Sequence, residues 1–360
     1  LHVFLPPLSL LEHFLELVGR VEAAASALHL SVVVEGYEPP ADPRLLNFRV
    51  TPDPGVLEVN VHPAADWPSL KTEMEVLYEE ARKTGLSAVK FTVNGRSVGS
   101  GGGSHLVLGA SIPEQSPFFR QPRLLPAMIS YWQRHPSLSY FFASQSVGPT
   151  SQAPRPDEAR HDALYELENA MRRIPKEGAL PFWRLDRLFR HLLVDVSGNT
   201  HRTEFCIDKL FDPSSTRGRQ GLLELRAFEM APHPRMALLQ ALLVRALVAK
   251  LYTAPLPDQL TRWGTALNDR FMLPWYLWQD LTEVLEDLSR DGLAFDPGWF
   301  QAHFNFRFPL CGKALIEGFE LEVRTALEPW PVLGEEAGPA VSRAIDASTE
   351  RVQVSLKDAP

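Results

Sequence analysis

The sequence predicts an α+β fold, a largely antiparallel, curved sheet backed by helices, and two kinds of segment carry that prediction. Short runs such as Gly55-Val-Leu-Glu-Val-Asn-Val-His-Pro63 alternate with the two-residue period of a half-buried strand. Longer runs, from Leu10 to Leu28, Leu70 to Thr84 and Met236 to Tyr252, repeat their apolar residues at helical spacing. Long helices thus separate strands that are polar on one side, the pattern of a sheet covered by helices.

The elements follow in order. Ser9-Leu-Leu-Glu12 reads as a capping box for helix one, Leu10 to Leu28. Ser31 to Glu35 is a β-branched strand, and Leu46 to Thr51 leads into the strand bearing Glu58, Asn60 and His62 on one face and Leu57, Val59 and Val61 on the other. In the acidic helix Leu70, Met74, Leu77, Tyr78 and Ala81 make the apolar stripe. Glu73 lies nearest to that stripe and Glu75 and Glu79 lie farther round, while Gly85 ends the helix. Ala88 to Val93 is a strand, Asn94-Gly95 a turn, Gly99 to Gly103 a mobile hinge, and Leu106 to Leu108 resumes the sheet.

Helical patterns then dominate, with Leu124, Leu125, Met128, Ile129 and Trp132 as a core stripe, followed by helices over 157–171 and 182–193. Strands are expected over Arg202–Asp208 and Leu222–Phe228, with Glu224 and Arg226 sharing a face. The remainder holds a helix over 274–290, an aromatic strand over 303–308, a hairpin at Glu317-Gly318, and strands over 343–347 and 352–356.

A chain of 360 residues with 45% hydrophobic and 22% charged residues can bury a full core, as one large domain or two ordinary ones. A net charge of −8 argues against a general nucleic-acid binder, which needs a basic face. The longest apolar run, Met236 to Val248, is broken by Gln240 and Arg245 and falls short of a membrane span. The first residues, Leu1-His-Val-Phe-Leu-Pro-Pro7, read as a strand and turn rather than a signal peptide. Two cysteines, Cys206 and Cys311, make no disulfide framework and suit a reducing cytoplasm. Because the chain opens inside a strand, it reads as a piece of a longer polypeptide.

The polar strand faces gather Glu58, Glu73, Glu204 and Glu224 with Asn60, His105, Arg202 and Arg226. Two carboxylates ~4 Å apart repel by about 4 kcal/mol at an effective dielectric of 20, so such a group spreads out, protonates or binds cations. Carboxylates with one imidazole and no clustered thiols suit Mg²⁺ or Mn²⁺. Glycines ahead of His105 (Gly101, Gly102, Gly103, then Ser104) let backbone N–H groups approach an anion closely. Glu224 beside Arg226 offers a metal ligand next to a fixed cation, a combination suited to phosphoryl transfer. Arg155 and Arg160, at a polar loop and helix start, are candidates for a substrate carboxylate. A thiol–imidazole pair from Cys206 and His201 is disfavoured, because strand alternation sets them on opposite faces.

The order of a Gly-x-x-Glu strand, an acidic helix, a glycine loop ending in His and a Glu-x-Arg strand resembles the ligase domain of glutamine synthetases and glutamate–cysteine ligases. Nearly the whole chain is similar to a bacterial amidoligase family usually found downstream of a transglutaminase-like domain. The resemblance is carried by residues 55–63, 101–109, 131–140, 148–168, 198–210, 224–232, 262–278 and 326–336. The chain departs from that family at Ser104, where Asn is usual, and at Asn94-Gly-Arg-Ser97, where Asp-Gly-Arg-His is usual.

The resemblance implies a ligase-like core over residues 1–260 and a helix-plus-hairpin subdomain over 261–360, with the superfamily's first metal strand expected upstream of Leu1. It further implies metal–ATP held by Glu58, Glu73 (or Glu75), His105 and Glu224. Asn60 and residues 101–105 would serve the nucleotide, and Arg226 the transferred phosphoryl group, with Glu204 and Arg202 beside it. The reaction implied is ATP-dependent amide formation through an acyl phosphate. A catalytically idle domain, binding peptide or nucleotide for a transglutaminase-like partner, is the other reading.

Overall fold

The computed structural model describes residues 1–360 except 43, 46, 47, 54, 94, 160–162, 177, 179, 216, 217, 255, 256, 258, 331–349, 359 and 360. Two units are distinguished, Leu1–Pro63 and Ala64–Pro360.

In the first unit β1 (His2–Leu5) and β2 (Val33–Gly36) pair in parallel, joined by helix α1 (Leu11–Leu28), as a parallel pair requires a crossover. Ser9 does not cap α1: Leu10 takes the cap position without a side-chain bond. At the other end His29 adopts φ 51° and its N–H returns to the helix's last carbonyls. Strands β3 (Arg49–Asp53) and β4 (Val56–Asn60) form an antiparallel hairpin. On β4 Val59 is partly covered, but Leu57 stays 48% exposed.

The second unit opens with α2 (Trp67–Lys83), whose first turn is capped by Asp66 accepting from Ser69 N–H at 2.8 Å. Gly85, with φ 79°, follows the cap residue Thr84 in the left-handed conformation expected there. A short hairpin of β5 (Val89–Phe91) and β6 (Ser97–Gly99) leads to β7 (Leu106–Leu108). Helices α3 (Pro117–Arg120), α4 (Leu124–Arg134) and α5 (Ser137–Tyr140) then enter the core, followed by β8 (Ser146–Val147). The stripe read from sequence is buried: Leu124, Leu125 and Met128 are 0% exposed, and Ile129 and Trp132 are 1% exposed. Each such side chain contributes about 1.5–3 kcal/mol by leaving water.

Of the helix expected over 157–171, the described residues are helical in α6 (Pro156–Ala159) and α7 (Ala163–Arg172), with 160–162 outside the described residues, and α8 spans Phe182–Phe189. After β9 (Phe205–Cys206) and β10 (Leu223–Leu225) comes α9 (Pro234–Leu251), which packs against α2, α4 and α11. Helices α10 (Ala266–Phe271) and α11 (Pro274–Arg290) follow.

The stretch expected as an aromatic strand is instead helix α12 (Gln301–Arg307). Phe304, Phe306 and Phe308 alternate like a strand, but Phe300, Phe304 and Phe308 also recur every four residues. The helical reading wins because it places Phe300, His303 and Phe308 in the core beside Phe141 and Phe142. The hairpin at Glu317-Gly318 is present, both residues having positive φ, between β11 (Leu310–Ile316) and β12 (Phe319–Thr325). β13 (Glu328–Pro329) pairs with β8, and β14 (Val352–Asp358) pairs with β12. The strand expected over 343–347 lies outside the described residues.

The chain is therefore mixed α and β, but the single curved sheet gives way to separate small sheets. Among the described residues none has more than three strands. The helices and the aromatic residues supply most of the second unit's core, since β7, β9 and β10 are short and β11 is exposed along its length. Residues beyond 260 are built into the same unit, Glu328 N–H bonding Gln145 O at 2.9 Å. No described helix is long and apolar enough to cross a membrane.

Candidate active site

The site lies on the three-stranded antiparallel sheet β7–β10–β9 of the second unit. In the central strand Leu223 and Leu225 turn into the core, at 0% and 1% exposure, so alternation sends Glu224 to the other face. Glu224 stands opposite Val107 of β7 and Cys206 of β9. Trp132 meets Phe205 edge-to-face at 5.7 Å and fixes β9 on α4.

Three cationic or potentially cationic groups hold the Glu224 carboxylate. His105 Nδ1 lies 3.1 Å from Oε1, Arg226 Nη1 donates to the same oxygen, and Lys209 Nζ lies 3.2 Å from Oε2. Burial works against the charged carboxylate. The His105 hydrogen bond and the charges of Arg226 and Lys209 outweigh it and hold the group well below the usual carboxylate range. Arg226 Nε is shut off from solvent and has no hydrogen-bond partner among the described residues. The imidazole of His105 is 33% exposed and Lys209 44%, so the cluster opens to solvent on that side.

The glycine segment is tied down rather than hinged. Ser104 N–H donates to Phe228 O at 2.8 Å, Met230 N–H to Gly102 O at 3.0 Å, and Gly103 bridges to Glu229. Glu229 in turn pairs with the largely buried Arg307 of α12. Glycine is needed at 103 because a Cβ there would collide with the His105 ring. Gly103→Ala is thus expected to push the imidazole off Glu224 and to cost about 1.5–3 kcal/mol, one charge-assisted hydrogen bond. Histidine ring NMR shifts with a urea melt check this, and an unmoved His105 signal would refute it.

Of the residues singled out from sequence, His105, Glu224 and Arg226 come together, and Lys209 joins them. No motif marked Lys209, which lies on the turn after β9. Glu73 is partly buried on α2, whose Tyr78 hydroxyl donates to Ala231 O at 2.7 Å, while Glu75 is exposed. Glu73, His105 and Glu224 do not form a set of ligand atoms within 4.8 Å of one another. Glu58 and Asn60 belong to the first unit, where both are exposed and Asn60 Nδ2 donates to Glu58 Oε1 at 2.8 Å. Arg202 is half-buried, and Arg160 lies outside the described residues.

Glu204 turns into the core instead of joining Glu224. It is 1% exposed, its Oε2 lies 2.6 Å from Ser139 Oγ, and its backbone carbonyl accepts from Arg226 N–H at 3.0 Å. Burial pushes its carboxyl up to about 8, against the charge of Arg155 and the Ser139 hydrogen bond. The folded protein therefore keeps a proton that the unfolded chain releases above the ordinary carboxyl value of 4.5. Glu158, pushed up to about 6 by burial, acts in the same sense over a lower range.

A raised carboxyl makes the native state bind more protons than the unfolded state. Stability should fall with rising pH up to about 8, by up to about 1.4 kcal/mol per pH unit for this one proton. Glu204→Gln is expected to remove the part of that decline above about 6, and urea melts across the window would check it. Parallel declines in both proteins would refute it.

Arg155 is also structural, and the expectation that it receives a substrate carboxylate is corrected here. Its five N–H donors are all used: Nε and Nη2 on Asp157 at 2.9 Å each, Nη1 on Trp132 O at 3.1 Å and Ser139 Oγ at 2.9 Å, and Nη2 again on Gln133 O at 2.9 Å. It is 1% exposed, with no donor left for a ligand.

A second correction concerns His201 and Cys206. Only Phe205 and Cys206 are extended, and the turns before them bring His201 Nδ1 to 3.9 Å from Cys206 Sγ. Strand alternation does not extend back to residue 201.

Comparison with curated proteins and with solved structures finds no match. The model of the family described as "Putative amidoligase enzyme (DUF2126)" matches residues 1–360. The chain that builds this carboxylate-centred cluster belongs to that amidoligase family.

Proposed function

We propose that the chain joins a carboxylate to an amine at the expense of ATP, through an acyl phosphate, on an amino-acid or peptide substrate. One observation supports this most: a buried carboxylate, Glu224, is gripped by Arg226, Lys209 and His105, with Arg226 Nε lacking an acceptor among the described residues. A single carboxylate among this many nitrogen donors leaves a surplus of positive charge, which suits phosphate oxygens.

Arg226 and Lys209 would hold the phosphoryl group while a substrate carboxylate oxygen attacks its phosphorus and ADP departs. The amine nitrogen then attacks the acyl carbon, loses a proton, and phosphate leaves. Mg²⁺ or Mn²⁺ would come with ATP, since such ions bind one or two carboxylates together with substrate phosphates. Glu73 is one candidate, and Glu224 would take the ion only by exchanging a contact to His105, Arg226 or Lys209. When bound, the ion neutralises charge on the phosphates. His105 would orient Glu224.

The strapped glycine segment favours the second reading. Ser104 N–H is already bonded to Phe228 O, so that amide is not offered to a phosphate. On that reading the domain binds peptide or nucleotide for a transglutaminase-like partner without turning it over. Titration of Mg²⁺ with ATP, followed by thermal shift and by ADP release across a panel of amino acids and peptides, separates the two. Release that requires Glu224 supports the ligase, and binding without release supports the idle domain. Neither binding nor release would overturn both.

A further inference from the structure

Beside Glu224, on the neighbouring strand, β9 and the turns before and after it bring three ligand-bearing side chains together. His201 Nδ1 lies 3.9 Å from Cys206 Sγ and 3.6 Å from Asp208 Oδ2, and all three atoms fall within 4.8 Å of one another. A tetrahedral zinc ion, with bonds of ~2.3 Å to sulfur and ~2.0 Å to nitrogen, would hold such atoms ~3.4–3.6 Å apart, so a small inward adjustment closes the set.

The surroundings favour a ligand role for each group. Asp208 Oδ1 is shut off from solvent without a hydrogen bond, faces Arg190 Nη1 at 3.6 Å, and leaves Oδ2 toward the imidazole. Cys206 is 1% exposed, and the His201 side chain, 56% exposed, supplies the open side through which an ion could enter. Burial pushes the Cys206 thiol up to about 12, which counts against an activated nucleophile and means that the thiolate forms only when an ion displaces its proton. The other group of this kind, His135 with Asp280 and Glu283, is committed elsewhere: Asp280 already accepts from Ser137 N–H at 2.8 Å and pairs with His135 at 3.0 Å.

We propose that His201, Cys206 and Asp208 form a binding site for a borderline transition-metal ion, zinc before the others. Sulfur and imidazole nitrogen select such an ion over Mg²⁺. On binding, the Cys206 thiol gives up its proton to solvent and the thiolate, imidazole and carboxylate take three positions. The fourth is left to water. The site is independent of the ligase reading and stands or falls without it.

The test is titration of chelator-treated full chain with Co²⁺, then displacement by Zn²⁺. One equivalent should give a thiolate-to-cobalt charge-transfer band and the visible absorption of a tetrahedral ion, both abolished by Zn²⁺ and untouched by Mg²⁺. His201→Gln, an exposed change that leaves the core intact, should weaken binding by more than ~100-fold, beyond the loss usual for a ligand's outer partners. Cys206→Ser should abolish the charge-transfer band, and Cys311→Ser should leave it unchanged. No band in folded protein at saturating Co²⁺, a band lost only in Cys311→Ser, or a wild-type affinity in His201→Gln would each overturn the proposal.

Discussion

Glu224→Gln is expected to lower the rate of ADP release coupled to amide formation by about 100- to 1,000-fold. That factor corresponds to about 3 kcal/mol of lost transition-state stabilisation for one preorganised electrostatic contact. The substitution preserves shape and removes charge. His105, Arg226 and Lys209 would then face one another around a neutral amide, and the phosphoryl group would meet donors no longer held in place. Glu224→Asp keeps the charge on a shorter stem and should recover part of the rate. A melting curve run beside the kinetics separates lost chemistry from lost structure. Turnover of Glu224→Gln within a few-fold of the parent, in folded protein, would remove Glu224 from the reaction.

Arg155→Ala is expected to be the most destabilising single change in the second unit, by about 3–5 kcal/mol, the range for breaking one partner of a buried ion pair. The loss strands the Asp157 carboxylate and removes the donor from two backbone carbonyls and Ser139 Oγ. Domains of ordinary stability have only about 5–15 kcal/mol in hand, so the variant should melt far below the parent or fail to accumulate. Arg155→Lys restores charge but only three donors from one point in place of a five-pronged planar fork, and should recover only part of the loss. A substrate-binding role would show the reverse pattern, with Arg155→Lys raising KM at an unchanged melting temperature.

Much of this was legible in the residues. Gly85 and Glu317-Gly318 announced their turns, and the apolar spacing of Leu124 to Trp132 announced the helix at the centre of the core. The two-residue alternation around Glu224 placed it and its neighbours on opposite faces, and Gly103 pointed to a close approach that proved to be the His105 ring. Elsewhere local pattern was ambiguous. Phenylalanines at 304, 306 and 308 satisfy a strand period while those at 300, 304 and 308 satisfy a helical one, and only packing on Phe141 and Phe142 decides. Lys209 was passed over and Arg155 misread for another reason. A lone basic residue carries no periodic signal, and whether it meets a ligand or a buried acceptor depends on chain segments far from it in sequence.

The sheet that carries Glu224 has a further consequence for how the molecule comes into being. Its imidazole arrives just ahead of β7 and its carboxylate on β10, with helices α3 to α8 intervening along the chain. Joining those strands closes a long loop, whose entropic penalty is met only once the intervening helices have condensed. The chemistry of the cluster is therefore a late product of folding. An incompletely collapsed chain can already be rich in helix while its imidazole and carboxylate have yet to meet.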